Sequence, residues 1–293
     1  YHEGVDDNAY TNVLARWNIR RALDAIAWLD EIDAARAREL KKRLGVTARE
    51  LRSWRPVIDG YVDGFDPETL LYEQFAGFYD LDDVPIEKIR PRPMPADLLL
   101  GREVTLVSKV VKQADVVMLC HVLADEIDEA TTRANYDYYE PITCHGSSLS
   151  PGIHAAVAAR LHDVPAATEY FKMAAAIDLA DNMGNAAAGL HMATMGGLWQ
   201  AAVMGFCGIM RRGETLRLDP QLPVAWQRVR LPLCFRGSRL HLDIRSRKLG
   251  VDVGITVERV PVTLQLDGVD REFSPGRHRL RRRNGEAWQV ETE

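Results

Sequence analysis

Met210-Arg211-Arg212-Gly213-Glu214-Thr215-Leu216-Arg217-Leu218-Asp219-Pro220 is where the chain changes period. Downstream of Gly213, apolar and polar residues alternate in Leu216-Arg217-Leu218, Arg228-Val229-Arg230-Leu231, Arg239-Leu240-His241-Leu242-Asp243-Ile244 and Val262-Thr263-Leu264-Gln265-Leu266. A period of two sends successive side chains to opposite faces of a strand. Asp219-Pro220, Arg236-Gly237-Ser238 and Asp267-Gly268 supply turns between them. Residues 214–293 are therefore expected to form a small antiparallel β domain, a sandwich. The charge shifts at the same place. From Glu214 to Glu293 there are 15 Lys and Arg against 11 Asp and Glu, so the net charge of -5 divides into +4 here and -9 before it. The basic run Arg277-His278-Arg279-Leu280-Arg281-Arg282-Arg283 reads as a solvated strand face or tail, with a nucleic-acid patch as the alternative.

Upstream of Gly213 the period is helical. Ile19, Ala22, Ile26, Leu29 and Ile32 form one stripe. They predict a helix capped by Asp6 or Asp7, running to about Leu44 and stopped by Gly45. Residues 102–124 are apolar nearly all round and predict a buried helix, on which Lys112 and Gln113 would lie. Further helices are expected at about 125–135, 151–161, 165–180, 184–194 and 197–211. Residues 1–213 thus read as a mainly α array of paired helices. Between them, residues 53–100 carry Arg55-Pro56, Asp66-Pro67 and Arg90-Pro91-Arg92-Pro93-Met94-Pro95, the marks of a long functional excursion. Its aromatics, among them Tyr72, Phe75 and Phe78, suit sugar stacking or packing equally well.

Composition sets outer limits. With 293 residues, 46% hydrophobic and 27% charged, the chain is long enough to bury a sizeable core. Mild acidity argues against a general binder of polyanions. Cys120, Cys144, Cys207 and Cys234 make no paired metal motif and read as reduced, mostly buried thiols of a cytoplasmic protein. Residues 182–210 lack charged side chains, yet six glycines with Asn185, His191 and Gln200 favour a packed inner helix pair over a membrane span. No metal-ligand cluster and no cofactor motif is apparent.

Three polar islands are candidates for chemistry. His145-Gly146-Ser147-Ser148-Leu149-Ser150-Pro151-Gly152 presents hydroxyls and backbone N–H groups where Ser150 would cap a helix and Pro151 would open it. That is an anion site, or simply a capped helix. Lys112-Gln113 on a buried helix must be paired, for instance with Asp115, or face a cavity that could hold sugar hydroxyls. Tyr1 to Asn12 is dense in polar groups just before a helix, where carboxylates most often serve as caps.

Taken together, Tyr1–Asn12 (YHEGVDDNAYTN), Lys109–Val116 (KVVKQADV), Asn135–Pro151 (NYDYYEPITCHGSSLSP) and Gly189–Trp199 (GLHMATMGGLW) resemble glycoside hydrolase family 65. That family includes maltose, trehalose, kojibiose and nigerose phosphorylases. The resemblance implies that residues 1–213 are the second half of an (α/α)6 barrel and residues 214–293 its small C-terminal β-sandwich. It implies inverting phosphorolysis of an α-linked glucosyl disaccharide to β-glucose 1-phosphate and glucose, with inorganic phosphate as co-substrate. His145, Ser147 and Ser148 would hold phosphate, and Lys112 and Gln113 the glucosyl unit. His191, Gly196 and Gly197 would line the same cavity. Glu140 would be a base in a hydrolytic member. The general acid of the family is a Glu directly before the Tyr-His that opens this sequence. Residues 1–293 are accordingly expected to be inactive without an N-terminal half. The resemblance suggests a homodimer, and neither nucleic acid nor membrane is expected as a partner. The rivals are a hydrolase on the same barrel, using water, and a non-catalytic glycan-binding or scaffold remnant.

Overall fold

The computed structural model describes residues 2–84 and 96–292. Tyr1 and the proline run of residues 90–95 lie outside them. Helices come first, and the larger sheets follow from Ile209 on.

The first expected helix is two. α1 (Ala9–Ile32) and α2 (Ala34–Leu44) meet at Asp33, whose extended backbone breaks the ladder. Its carboxylate accepts from Arg36 N at 2.9 Å and caps α2. Neither Asp6 nor Asp7 caps α1. Asn8 does, through Thr11 N at 2.9 Å, because its side chain also reaches inward to Gln74 and Asp115. Gly45 ends α2 at φ +70°, as the sequence predicts. α3 (Ala48–Gly60) runs straight through Pro56, so the long excursion starts only after residue 60. It contains a short hairpin, β1 (Phe65–Asp66) and β2 (Leu71–Tyr72), and then a 3-10 turn at Phe78–Asp80. Tyr72, Phe75 and Phe78 are buried in the helical core, and Phe78 stacks near Tyr139 at 5.8 Å. Packing, rather than sugar stacking, accounts for these three rings.

The largest correction concerns residues 102–124. They form two short helices, α5 (Arg102–Leu106) after α4 (Ala96–Leu100), and α6 (Val116–Val122), joined by an extended stretch. Val104, Val107 and Val122 are exposed. The β-branched run Val107 to Val111 gains more from extended pairing than from a helix: Asp82 N donates to Val107 O and Lys109 N to Asp82 O, each at 2.9 Å. The buried helix lies elsewhere. After α7 (Glu129–Tyr139), every residue of α8 (Ser150–Arg160) is buried. Its alanines and Gly152 let neighbours come close. A Cβ on Gly152 would meet the backbone of Gly197 at 3.0 Å, and one on Gly205 would meet Ala156 at 3.0 Å.

α9 (Val164–Leu179) follows, capped by Asp163, whose carboxylate accepts from Ala166 N at 3.1 Å. Asp163→Ala is expected to cost about 1 kcal/mol in urea denaturation. An unchanged midpoint would mean that the bond is not maintained in solution. The uncharged stretch is not a helix pair. It forms a 3-10 turn at Ala186–Ala188 and then α10 (Met192–Gln200), which continues as a π-helical turn over Ala201–Phe206. No helix among the described residues is long and apolar enough to cross a membrane. Cys120, Cys144 and Cys207 are buried thiols, and Cys234 is an exposed one.

The C-terminal part holds two sheets. β3 (Ile209–Arg212), β4 (Thr215–Leu218), β8 (Val262–Leu266) and β9 (Val269–Phe273) form one, in the order β3-β4-β8-β9. β5 (Arg228–Phe235), β6 (Ser238–Arg247), β7 (Gly250–Val257), β10 (Gly276–Arg283) and β11 (Gln289–Thr292) form the other, ordered β11-β10-β7-β6-β5. The larger sheet is antiparallel throughout. The smaller is mixed, because β4 pairs with β8 in parallel, Leu216 beside Leu264. One core joins both sheets: Leu216, Leu218 and Leu264 from one, and Leu240, Ile244, Val253, Ile255 and Leu280 from the other. Alternation along β6, β7 and β8 follows directly from having one buried face.

Candidate functional site

A parallel backbone pairing builds the site. Val111 N donates to Ile142 O at 2.9 Å, Cys144 N to Val111 O at 2.7 Å, and Gly146 N to Lys112 O at 3.0 Å. The extended stretch before α6 thus runs beside the stretch after α7. Lys112-Gln113 and His145–Ser148, about thirty residues apart in sequence, become neighbours through main-chain bonds.

Lys112 and Gln113 line a cavity of about 180 Å³ together with His2, Asn8, Gln74 and Asp115. The N-terminal island therefore belongs to the same site. Asp115 Oδ2 accepts from Asn8 Nδ2 and Gln74 Nε2, each at 3.1 Å. Burial raises the Asp115 pKa above the usual carboxylate value, and the two amide donors hold it back. His2 donates through Nε2 to Ser108 O at 2.8 Å and packs on Phe75 at 4.9 Å. Burial lowers its pKa, which favours the neutral ring.

His145 is at φ +47°, a left-handed conformation that costs a non-glycine residue about 1 kcal/mol or more. The sharp turn aims its ring inward, between His154 at 4.5 Å and Tyr170 at 4.7 Å. Ser150 does not cap α8 as expected. It is the first helical residue, and its Oγ lies 2.9 Å from His145 Nδ1. His154 Nδ1 lies 3.1 Å from Ser150 O, so that nitrogen must be the donor. The Ser150 hydroxyl is then free to donate to His145 Nδ1. A neutral His145 that accepts at Nδ1 carries its proton on Nε2 and presents a donor there.

Ser147 and Ser148 complete the turn. Ser147 Oγ accepts from Leu149 N at 3.3 Å, and Ser148 O accepts from Thr194 Oγ1 at 2.9 Å, which ties the turn to α10. The N-terminus of α8, with its positive dipole end, follows directly. Glu140 accepts a short hydrogen bond from Tyr170 OH, so it reaches His145 through the ring that packs on it.

The other candidates lie at the start of α10 and along it. His191 precedes α10 and is held by Asp178, Nδ1 to Oδ1 at 2.6 Å and His191 N to Oδ2 at 2.9 Å. Gly197 is packed against Gly152 where α10 crosses α8, and Gly196 is exposed on α10. Sequence reasoning missed His154, Tyr170, Asn8, Gln74 and Asp178. None of them stands in a polar island of its own except Asn8, whose place in the N-terminal motif was read only as a helix start.

A profile described as the glycosyl hydrolase family 65 central catalytic domain matches residues 1–200, and one described as the glycosyl hydrolase family 65 C-terminal domain matches residues 210–270. The kojibiose phosphorylase of Caldanaerobacter subterraneus subsp. tengcongensis is 37% identical over 254 residues, covering 86% of this chain and 33% of that protein. The 1,2-alpha-glucosylglycerol phosphorylase of Bacillus selenitireducens is 34% identical, covering 92% and 36%. The maltose phosphorylase of Bacillus subtilis is 31% identical, covering 90% and 35%. A solved structure described as a kojibiose phosphorylase from the human microbiome superposes with a TM-score of 0.83 at 28% identity, over 96% of this chain and 36% of that one. The chain spans about a third of the length of the relatives it matches.

Proposed function

Residues 1–293 belong to glycosyl hydrolase family 65, and from that premise we propose that they form the phosphate- and sugar-binding part of a disaccharide phosphorylase. The observation that carries this reading is the main-chain pairing that sets Lys112 and Gln113 beside the His145–Ser148 turn. A Lys with a neighbouring amide suits the hydroxyls of a glucosyl unit. A turn with two hydroxyls, an imidazole donor and a helix N-terminus suits phosphate. The naming of relatives as kojibiose, glucosylglycerol and maltose phosphorylases supports the same reaction class.

In the proposed reaction, phosphate oxygen attacks the anomeric carbon from the face opposite the glycosidic bond. The C–O bond to the leaving sugar breaks, and its oxygen takes a proton from an acid outside these residues. Lys112 and Gln113 hold the glucosyl unit, while His145, Ser147 and Ser148 hold phosphate in line. Inversion at carbon makes the product β-glucose 1-phosphate. The helices would then be half of an (α/α)6 barrel, completed by sequence outside residues 1–293, and the two sheets its C-terminal sandwich. We take Glu140 as a positioning group for Tyr170 and His145 rather than a base, because its carboxylate is engaged by the tyrosine. A cytoplasmic homodimer remains part of the proposal on the strength of the family alone.

The test is phosphate dependence, in protein that carries these residues together with the remaining two thirds of a family 65 enzyme. Maltose, trehalose, kojibiose and nigerose are each supplied with and without phosphate. β-Glucose 1-phosphate should form from one of them only when phosphate is present. Ser147→Ala/Ser148→Ala should lower that rate about 100-fold, chiefly by raising KM for phosphate. Glucose released equally without phosphate would establish a hydrolase and remove the assignment of His145 and the serines.

A further inference from the structure

The start of α10 is clamped onto the turn that carries the two serines. Thr194, 2% exposed, donates through Oγ1 to Ser148 O at 2.9 Å. Its own N–H donates to His191 O at 2.9 Å. His191 therefore stands one helical turn, roughly 5 Å along the axis, from the residue that grips the turn. From the other side Asp178, on α9, holds His191 twice. Oδ1 accepts from Nδ1 at 2.6 Å, and Oδ2 accepts from the His191 backbone N–H at 2.9 Å. Both side chains are largely covered, the carboxylate 5% exposed and the ring 19%. The imidazole cannot turn over without losing the bond to Oδ1.

These bonds decide where the ring keeps its proton. The bond from the His191 ring, above all, lowers the Asp178 pKa, so the carboxylate is ionised and can only accept. Nδ1 therefore carries the proton. In the neutral ring Nε2 is then an acceptor, and it has no hydrogen-bond partner among the described residues. His145 is set the other way: it accepts at Nδ1 from Ser150 and has its proton on Nε2. The groups around the serine turn thus combine donors with one acceptor. An oxyanion without a proton would set lone pairs against His191 Nε2. Monohydrogen phosphate brings a P–OH that fits it, and its unprotonated oxygens suit His145, Ser147 and Ser148. We infer that Asp178 is a positioning residue of the phosphate site, holding His191 as the acceptor for the P–OH, so that the site takes a proton-bearing oxyanion and rejects sulfate. The inference rests on the phosphorolysis reading and names the form of the anion that the site selects. The attacking oxygen is one of the unprotonated ones, and the proton stays on the oxygen that His191 holds.

Sulfate is the probe. It matches monohydrogen phosphate in shape and charge but has no proton near neutral pH, whereas arsenate has one. The assay uses the same protein as the phosphate-dependence test, at constant ionic strength. In the parent, the inhibition constant of sulfate should lie at least about tenfold above KM for phosphate, and arsenate should replace phosphate as co-substrate. Asp178→Asn tests the tautomer. Its single amide oxygen must stay on the His191 backbone N–H, which can only donate. The NH2 group then faces Nδ1 and drives the ring proton to Nε2. Sulfate should gain on phosphate by about tenfold in the ratio of the two constants. A general structural disturbance would weaken both anions alike and leave that ratio where it was. His191→Gln, whose amide donates as well as accepts, should move the ratio in the same direction, and it decides should Asp178→Asn melt early. A parent that binds sulfate as tightly as phosphate, or a ratio unmoved in variants that keep the parent melting temperature, would overturn the inference and leave phosphorolysis standing. Product formed equally without phosphate would remove the phosphorolysis reading and this inference with it.

Discussion

Gly208→Ala opens the junction between helices and sheets, at a cost of about 4 kcal/mol. Gly208 follows the π-helical turn and precedes β3, at φ +61°. That conformation alone costs an alanine about 1–2 kcal/mol. The larger part of the effect is steric. The added Cβ would stand 1.9 Å from the carbonyl oxygen of Asp219, a backbone atom that cannot swing aside. Asp219 N in turn donates to Gly208 O at 3.1 Å, and Gln221 N to Phe206 O at 2.7 Å, so any shift breaks both bonds. Asp219 also holds His162, Arg217 and Arg282, which draw the two parts together. Denaturation followed by the fluorescence of Trp226, which packs between Phe171 and Phe206, reads the loss. Gly213→Ala is the control: φ is +55°, but a Cβ there meets open space, so only the conformational cost of about 1 kcal/mol should appear. Equal effects at the two glycines would dismiss the steric account.

Acid should destabilise the helical part through His121. This residue is buried on α6 and donates through Nε2 to Gln200 Oε1 at 2.9 Å. Burial, reinforced by the positive charge of Arg160, lowers its pKa to about 4, and the Gln200 bond opposes the shift. The sign follows from linkage. Between the unfolded value near 6.5 and the folded value near 4, the unfolded chain binds a proton that the folded chain does not. Stability therefore falls as pH drops through that window, by roughly 3 kcal/mol for the whole shift. It is unaffected by this group above pH 6.5. Replacing His121 with Gln removes the titration, so urea midpoints of His121→Gln measured from pH 7 to pH 4 should lie on a flatter curve than those of the parent. Parallel curves would show that other groups govern the acid limb.

How much was legible depends on how local the signal is. The strands β6, β7 and β8 could be read because one face of each is buried and the alternation survives in the residues themselves. The parallel pairing of β4 with β8 could not, since nothing in Leu216 or Leu264 specifies a partner so far along the chain. The buried helix was misplaced for a chemical reason. Residues 102–124 are rich in valine and look more apolar than α8, whose alanines, Gly152, Ser150 and His154 give a weak hydrophobic signal. Yet small residues are what permit close packing on every side. At the site, Lys112-Gln113 and His145–Ser148 stood out as polar groups in apolar surroundings. The bonds that join them are made by main-chain atoms, which carry no residue identity. Tyr170 and His154 were illegible because their roles exist only against His145.

The crossed order of the smaller sheet has a consequence for how the chain is made. β3 and β4 emerge from synthesis as a local hairpin, but the strand that completes their sheet comes only after β5, β6 and β7 have been built into the other one. Until β8 arrives, β4 keeps a row of unpaired backbone groups on the side that β8 will occupy. The apolar faces of the early hairpin and of β5 to β7 can meet before that, so part of the shared core gathers ahead of β8, and β10 and β11 complete the larger sheet only after the open edge is sealed.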